Sequence, residues 1–214
     1  MKPIQQYLDY TLLRLGATVS EVYQLCDEAV EQRCYAVCVP PCYVPGLKER
    51  LMPGDVKLCS VVGFPHGMHL TSIKVTEART LLDIGADELD MVVNLGRFRS
   101  GDYRYTQAEI ESFVQQCQRR NAVSKVIIES GLLSFEEVDR FCEICAEAGA
   151  DFVKTSTGFA GVGAELDKVA RMREVLPPHM QIKASGGIKS LESAKAFIAA
   201  GATRIGASTL FTES

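Results

Sequence analysis

Long apolar runs are missing from this 214-residue chain. No stretch approaches the roughly 18 residues needed to cross a bilayer, and no charged-then-apolar leader opens it, so a soluble cytoplasmic protein away from any membrane is expected. Charge of one sign is lacking too. The 23 lysines and arginines are scattered among 27 acidic residues, for a net charge of -4, which leaves no basic footprint for nucleic acid. Histidines number three. His66 and His69 are spaced like ligands, but no second ligand pair accompanies them, so no metal and no cofactor is expected. No linker or shift of composition breaks the chain, and one domain over 1–214 follows.

Cysteine is not scarce. Cys26, Cys34, Cys38, Cys42, Cys59, Cys117, Cys142 and Cys145 could suggest a disulfide scaffold, yet such scaffolds are short, secreted and poor in core, whereas this chain is 47% apolar. Free thiols are expected. The pair Cys142 and Cys145 continues the helical apolar stripe of Phe135, Val138 and Phe141, which predicts core packing instead of redox chemistry.

Short apolar, β-branched runs alternate with amphipathic stretches throughout, the pattern of a parallel sheet with helical crossovers. Strands are predicted at residues 9–12, 35–39, 56–62, 88–94, 125–130, 152–155, 181–185 and 203–206. Capping boxes at Thr18 with Glu21, Thr106 with Glu109 and Ser134 with Glu137 mark helix starts. The first helix should turn Val19, Val22, Cys26, Ala29 and Val30 toward the sheet. An internal echo (Gly85-Ala86-Asp87, Gly149-Ala150-Asp151, Gly201-Ala202-Thr203) places glycine at the left-handed end of a helix just before a strand. These features predict a (β/α)₈ barrel, with an open doubly wound sheet as the alternative. Only eight residues follow Gly206. A short N-terminal helix near Ile4 to Leu8 and a truncated eighth helix are therefore expected, unless another subunit covers that flank.

Two lysines end near-identical strands, F-V-K-T-S-T-G around Lys154 and Q-I-K-A-S-G-G around Lys183. An uncompensated lysine costs several kcal/mol to bury, so the pair suggests amine chemistry, against the plainer reading of snorkelling or salt-bridged lysines. Neighbouring strands lie about 4.8 Å apart. Two ammonium groups roughly 6 Å apart at an effective dielectric near 20 repel by about 2.8 kcal/mol, which would leave one a free nucleophile near pH 7. In a barrel the strand ends converge, bringing Asp9, Cys38, Asp90, Asn94, Glu129, Lys154 and Lys183 to one face. Asp90 interrupts the apolar run from Leu89 to Val93, so it must be paired or functional. Gly158, Gly186 with Gly187, and Gly206 ahead of Ser208 and Thr209 form loops suited to a phosphate cradle.

The segments D-Y-T-L-L (9–13), C-V-P-P-C-Y-V (38–44), V-V-G-F-P-H-G (61–67), G-A-D-E-L-D-M-V-V-N (85–94), K-V-I-I-E-S (125–130), G-A-D-F-V-K-T-S-T-G-F (149–159), I-K-A-S-G-G-I (182–188) and G-A-T-R-I-G-A-S (201–208) carry a resemblance. Spanning nearly the whole chain in order, they resemble the deoxyribose-phosphate aldolase family of class I aldolases. The resemblance implies reversible cleavage of 2-deoxy-D-ribose 5-phosphate to acetaldehyde and D-glyceraldehyde 3-phosphate without a metal. It gives Lys154 as the Schiff-base lysine, Lys183 as the second lysine, and Asp90 as the proton-relaying carboxylate. It gives Thr157, Gly158, Gly186, Gly187, Gly206 and Ser208 as phosphate and substrate contacts, with Lys189 beside the phosphate. Asp9 and Cys38 match pocket-lining positions. Departures fall at the pocket edge: Tyr10, Pro40, Cys42, Met68 and His69 stand where many members carry other residues. From the residues alone, a phosphosugar isomerase using Asp90 or Glu129 as base and a non-catalytic phosphosugar-binding protein stay open, as does assembly into a homo-oligomer such as a dimer.

Overall fold

The structure, a computed structural model, describes residues 2–211. Eight parallel strands close into a barrel in sequence order: β1 (Leu8–Thr11), β2 (Ala36–Val39), β3 (Lys57–Val62), β4 (Glu88–Val92), β5 (Val123–Ile127), β6 (Phe152–Lys154), β7 (Gln181–Ser185) and β8 (Arg204–Ala207). Each predicted run overlaps its strand: 181–185 coincides with β7, β1 and β5 begin one and two residues before their runs, β8 ends one residue after its run, and the other four runs contain their strands. Helices α1 (Val19–Glu31), α2 (Leu47–Leu51), α3 (Thr71–Asp83), α4 (Leu95–Arg99), α5 (Tyr103–Gln118), α6 (Phe135–Glu147), α7 (Leu166–Val175) and α8 (Leu191–Ala199) fill the crossovers. Two of them, α4 and α5, follow β4.

The period of two along each strand sorts the side chains. Leu89 and Met91 of β4 face outward with Val126, Val153, Ile182 and Ile205 of neighbouring strands into the apolar core beneath the helices. Inside the barrel the same strands carry Asp90, Lys125, Lys154, Lys183 and Arg204, all buried, beside a small apolar cluster of Cys38, Cys59 and Val61. Parallel strands buried on both faces thus serve two cores of opposite character.

The glycine echoes have a structural account. Gly85, Gly149 and Gly201 all have positive φ, at 109°, 73° and 113°. The acidic residue that follows in the first two reaches back to the preceding strand: Asp87 accepts the Leu58 N–H at 2.8 Å, and Asp151 accepts the Ser124 N–H at 2.8 Å. Each thereby fixes the start of one strand against the next.

Two helix expectations need correction. Thr106 is not a cap; it lies inside α5, whose N-cap is Asp102, accepting the Tyr105 N–H at 3.2 Å. Glu109 is drawn off by buried Lys74 on α3, at 2.9 Å. In α1 the boxed cap at Thr18 holds, but Val19 is exposed and Leu25 takes a place in the buried stripe. No helix follows β8 through Phe211, and any truncated eighth helix at residues 212–214 falls outside the described residues. The flank is covered by the N-terminal segment. A 3-10 turn at Ile4–Tyr7 buries Ile4, and Gln5 donates to the Phe211 carbonyl at 3.2 Å.

Candidate active site

Lys154 and Lys183 are register partners on β6 and β7, so their side chains enter the barrel together. Asp90 meets both. Its Oδ2 lies 2.8 Å from Lys154 Nζ and 2.8 Å from Lys183 Nζ, while Oδ1 accepts from Lys125 Nζ at 2.9 Å. Lys183 also donates to Asp9 Oδ2. Below them, Lys125 pairs with Glu88 at 2.6 Å, and Arg204 bridges Asp9 at 2.7 Å and Glu88 at 3.0 Å. The Arg204 guanidinium lies over the Tyr35 ring, 3.6 Å from its centroid.

Four basic side chains therefore face three carboxylates. Lys125, Lys183 and Arg204 each contact at least two carboxylates, whereas Lys154 has Asp90 alone, and shares it. Burial opposes ionisation of Asp90, but Lys125, Lys154 and Lys183 outweigh it and hold the carboxyl well below the usual range. Burial likewise works against Asp9, yet Arg204 and Lys183 hold it low. Burial works to lower Lys183, but Asp9 and Asp90 outweigh it and raise it above an ordinary lysine. Lys183 is a fixed cation.

Above this network the loops after β6, β7, β8 and β1 enclose a cavity of about 240 Å³. Thr157, Gly158, Gly186, Gly187, Lys189, Gly206 and Ser208 all line it, together with Lys154. Asp9, Cys38, Asp90 and Lys183 do not; they lie buried below, and Lys154 is the one interior cation that reaches the opening. Gly158, Gly186 and Gly187 have φ of 85°, 91° and 79°, a region where side chains are disfavoured. Gly206 is required for a different reason. A Cβ there would come within 3.1 Å of Lys183 Cε and 2.9 Å of the Ser185 Cβ, so the lysine stem occupies the space a side chain would need. Cys38 sits beside Cys59 on β3; a hydrogen bond from Cys59, ahead of the cost of burial, lowers the Cys38 thiol. His66 and His69 are both exposed.

Sequence reasoning missed Lys125, Glu88 and Arg204 as interior charges, and Thr11, Leu13 and Arg14 as cavity wall. Asp90 stands out by interrupting an apolar run, whereas Glu88 and Arg204 open their strands and Lys125 lies near the start of its own. The signal that could have found Glu88 and Arg204 is the two-residue spacing that puts Glu88 on the same face as Asp90 and Arg204 on the same face as Gly206.

The family described as DeoC/LacD family aldolase matches residues 4–211. A deoxyribose-phosphate aldolase from Thermococcus gammatolerans is 50% identical over 208 residues, covering 96% of this chain and 92% of that protein. One from Mannheimia succiniciproducens is 44% identical, covering 96% and 91%. Among solved structures, the aldolase QR15 superposes with a TM-score of 0.90 at 41% identity, covering 97% of this chain and 92% of that one. A tetrameric deoxyribose phosphate aldolase from Aeropyrum pernix gives 0.89 at 35% identity, covering 96% and 86%. With its barrel, its paired lysines and a family match over nearly its full length, this chain belongs to the DeoC/LacD aldolase family.

Proposed function

We propose that this chain is a Schiff-base aldolase, a carbon-carbon lyase that reversibly cleaves 2-deoxy-D-ribose 5-phosphate to acetaldehyde and D-glyceraldehyde 3-phosphate, with residues 1–214 acting as one domain. The observation that carries the reading is the position of Lys154, with its amine between Asp90 and an open cavity whose far wall is glycine-rich. Lys154 is the interior cation with a single carboxylate partner, whereas the other three are each held by two carboxylates or more.

The neutral amine adds to the C1 aldehyde of the open-chain sugar, and departure of water gives an iminium. The C3 hydroxyl then loses its proton, the C2–C3 bond breaks, and its electron pair moves into the iminium to form an enamine. Glyceraldehyde 3-phosphate leaves with C3 as its new carbonyl carbon. Protonation of the enamine at C2 and hydrolysis release acetaldehyde and restore the amine. Lys154 and Lys183 both donate to Asp90 Oδ2, so Asp90 is placed to relay the protons of imine formation while Lys183 holds its charge beside it. The substrate phosphate fits the loops of Gly158, Gly186, Gly187, Gly206 and Ser208, with Lys189 supplying positive charge. An isomerase reading asks for a free carboxylate base. Asp90 is instead engaged by three lysines, and Glu129 accepts hydrogen bonds from Thr157.

No described helix is long and apolar enough to cross a membrane. Seven of the eight cysteines are buried free thiols, which suits a reducing cytoplasm. Val19 and Tyr23, exposed one turn apart on α1 near exposed Leu15, support assembly as a homodimer. Incubation with 2-deoxy-D-ribose 5-phosphate tests the function: the two aldehydes are expected in equal amounts. Conversion to a ketose phosphate without cleavage, or tight binding with no turnover, contradicts it.

A further inference from the structure

We infer that Glu129 is a positioning residue that fixes the Thr157 hydroxyl as an acceptor for a hydroxyl of the sugar; this rests on the aldolase reading above. Glu129 lies just beyond β5 and is buried, yet among the described residues no lysine or arginine lies within ion-pair distance of its carboxylate. A buried carboxylate is costly unless its oxygens are met. Here one residue meets them. The Thr157 N–H donates to both oxygens, at 3.2 and 3.3 Å, and the Thr157 hydroxyl donates to Oε2 at 2.6 Å.

The backbone at Glu129 is left-handed, with φ of 53°. That conformation is disfavoured for a residue with a side chain. Ladder bonds on both sides hold it: the Ile128 N–H donates to the Lys154 carbonyl at 3.1 Å, and the Ser130 N–H to the Thr155 carbonyl at 2.8 Å. The result turns the carboxylate onto the loop that immediately follows Lys154.

A hydroxyl has one proton and two lone pairs. Thr157 gives its proton to Glu129, and one lone pair accepts the Phe159 N–H at 3.1 Å. The remaining lone pair belongs to a residue that lines both cavities of the barrel mouth, the 240 Å³ space over Lys154 and a larger one of about 370 Å³ beside it. Thr157 therefore meets substrate only as an acceptor. It binds a hydroxyl and disfavours a carbonyl or ether oxygen in the same place. Phe159, tethered by the same hydroxyl, packs edge-on against Phe64 with ring centroids 5.3 Å apart, so Glu129 also steadies the wall between the cavities.

Acetaldehyde brings no hydroxyl to Lys154, whereas the phosphosugar does, and this difference separates positioning from general structural support. In Glu129→Gln the amide donates as well as accepts, and the Thr157 proton is free to turn toward the cavity. Wild-type and variant proteins are compared in borohydride trapping with acetaldehyde and in cleavage of 2-deoxy-D-ribose 5-phosphate. Trapping is expected at the wild-type rate, while kcat/KM for cleavage falls about tenfold or more. Adding Glu129→Gln to Thr157→Val should cost nothing further. Glu129→Asp, which keeps the charge but withdraws it from Thr157, should show the same split if the glutamine variant is insoluble. Cleavage within about twofold of wild type, parallel losses in the two assays, or additive losses in the double variant overturn the inference. Failure of wild-type protein to be trapped by acetaldehyde counts against the aldolase reading itself.

Discussion

In the proposed mechanism the reactivity of Lys154 depends on its neighbour Lys183. Replacing Lys183 by methionine keeps the volume of the stem but removes a cation that two carboxylates require, leaving Lys154 alone on Asp90 Oδ2 while Lys125 stays on Oδ1. Trapping of Lys154 at pH 7 is then expected to slow by about 100-fold, with the rate recovering as pH is raised. Unchanged trapping at pH 7 would refute the electrostatic role. Lys154, Lys183 and Asp90 were legible in the sequence because each breaks a run of apolar residues where a solvated charge has no place. Lys125, Glu88 and Arg204 were not, since a charge at or near the start of a strand ordinarily points to solvent. Closure of the barrel makes those positions face each other, and closure is a property of eight strands, not of one.

At the scale of elements, the close approach of β7 and β8 depends on Gly206. Its φ is not in the left-handed region, so alanine there brings no backbone strain; the obstacles are the Ser185 Cβ at 2.9 Å and the Lys183 stem at 3.1 Å. Gly206→Ala should remain folded yet lose about tenfold or more in cleavage, because the ammonium is pushed off Asp90. Wild-type activity in a folded variant would show that the stem has room to move. The boundaries of the elements were less legible than their order. Thr106 and Glu109 have capping-box spacing, but Asp102 caps the helix a turn earlier, and Glu109 is needed by Lys74, which also donates to the Val92 carbonyl at 2.8 Å. Glu109 in turn accepts the Asn94 N–H at 2.9 Å, so α3 and α5 together brace the end of β4 above Asp90. That bond crosses between elements 35 residues apart, and no local pattern announces it.

For the whole molecule, the sorting of thiols and charges between two cores sets the response to pH. Burial pushes the Cys117 and Cys142 thiols up to about 12. A thiol in the unfolded chain ionises near 8.5, so the stability these groups contribute is complete below about pH 8.5 and is lost as pH rises toward the folded values, at roughly 1.4 kcal/mol per pH unit for each. Asp9 and Asp90 act oppositely. Their folded values are depressed, so their contribution is present above the unfolded value of about 3.9 and falls away as pH drops below it. Urea unfolding should therefore show a plateau between these limits with stability declining on both sides; a flat response from pH 8.5 to 11 would contradict the buried-thiol account. The alternation of strand and helix made the barrel readable at this scale, while the covering of the β8 flank by Ile4 and Phe211 rests on a contact between segments 206 residues apart that no local pattern announces.

The account turns on one bond between a substrate carbon and one nitrogen. Protein incubated with acetaldehyde or 2-deoxy-D-ribose 5-phosphate, reduced with borohydride and digested for mass spectrometry should carry a single stable adduct on Lys154, with Lys125 and Lys183 unmodified. An adduct on Lys183 or Lys125, or none on any lysine, would contradict it.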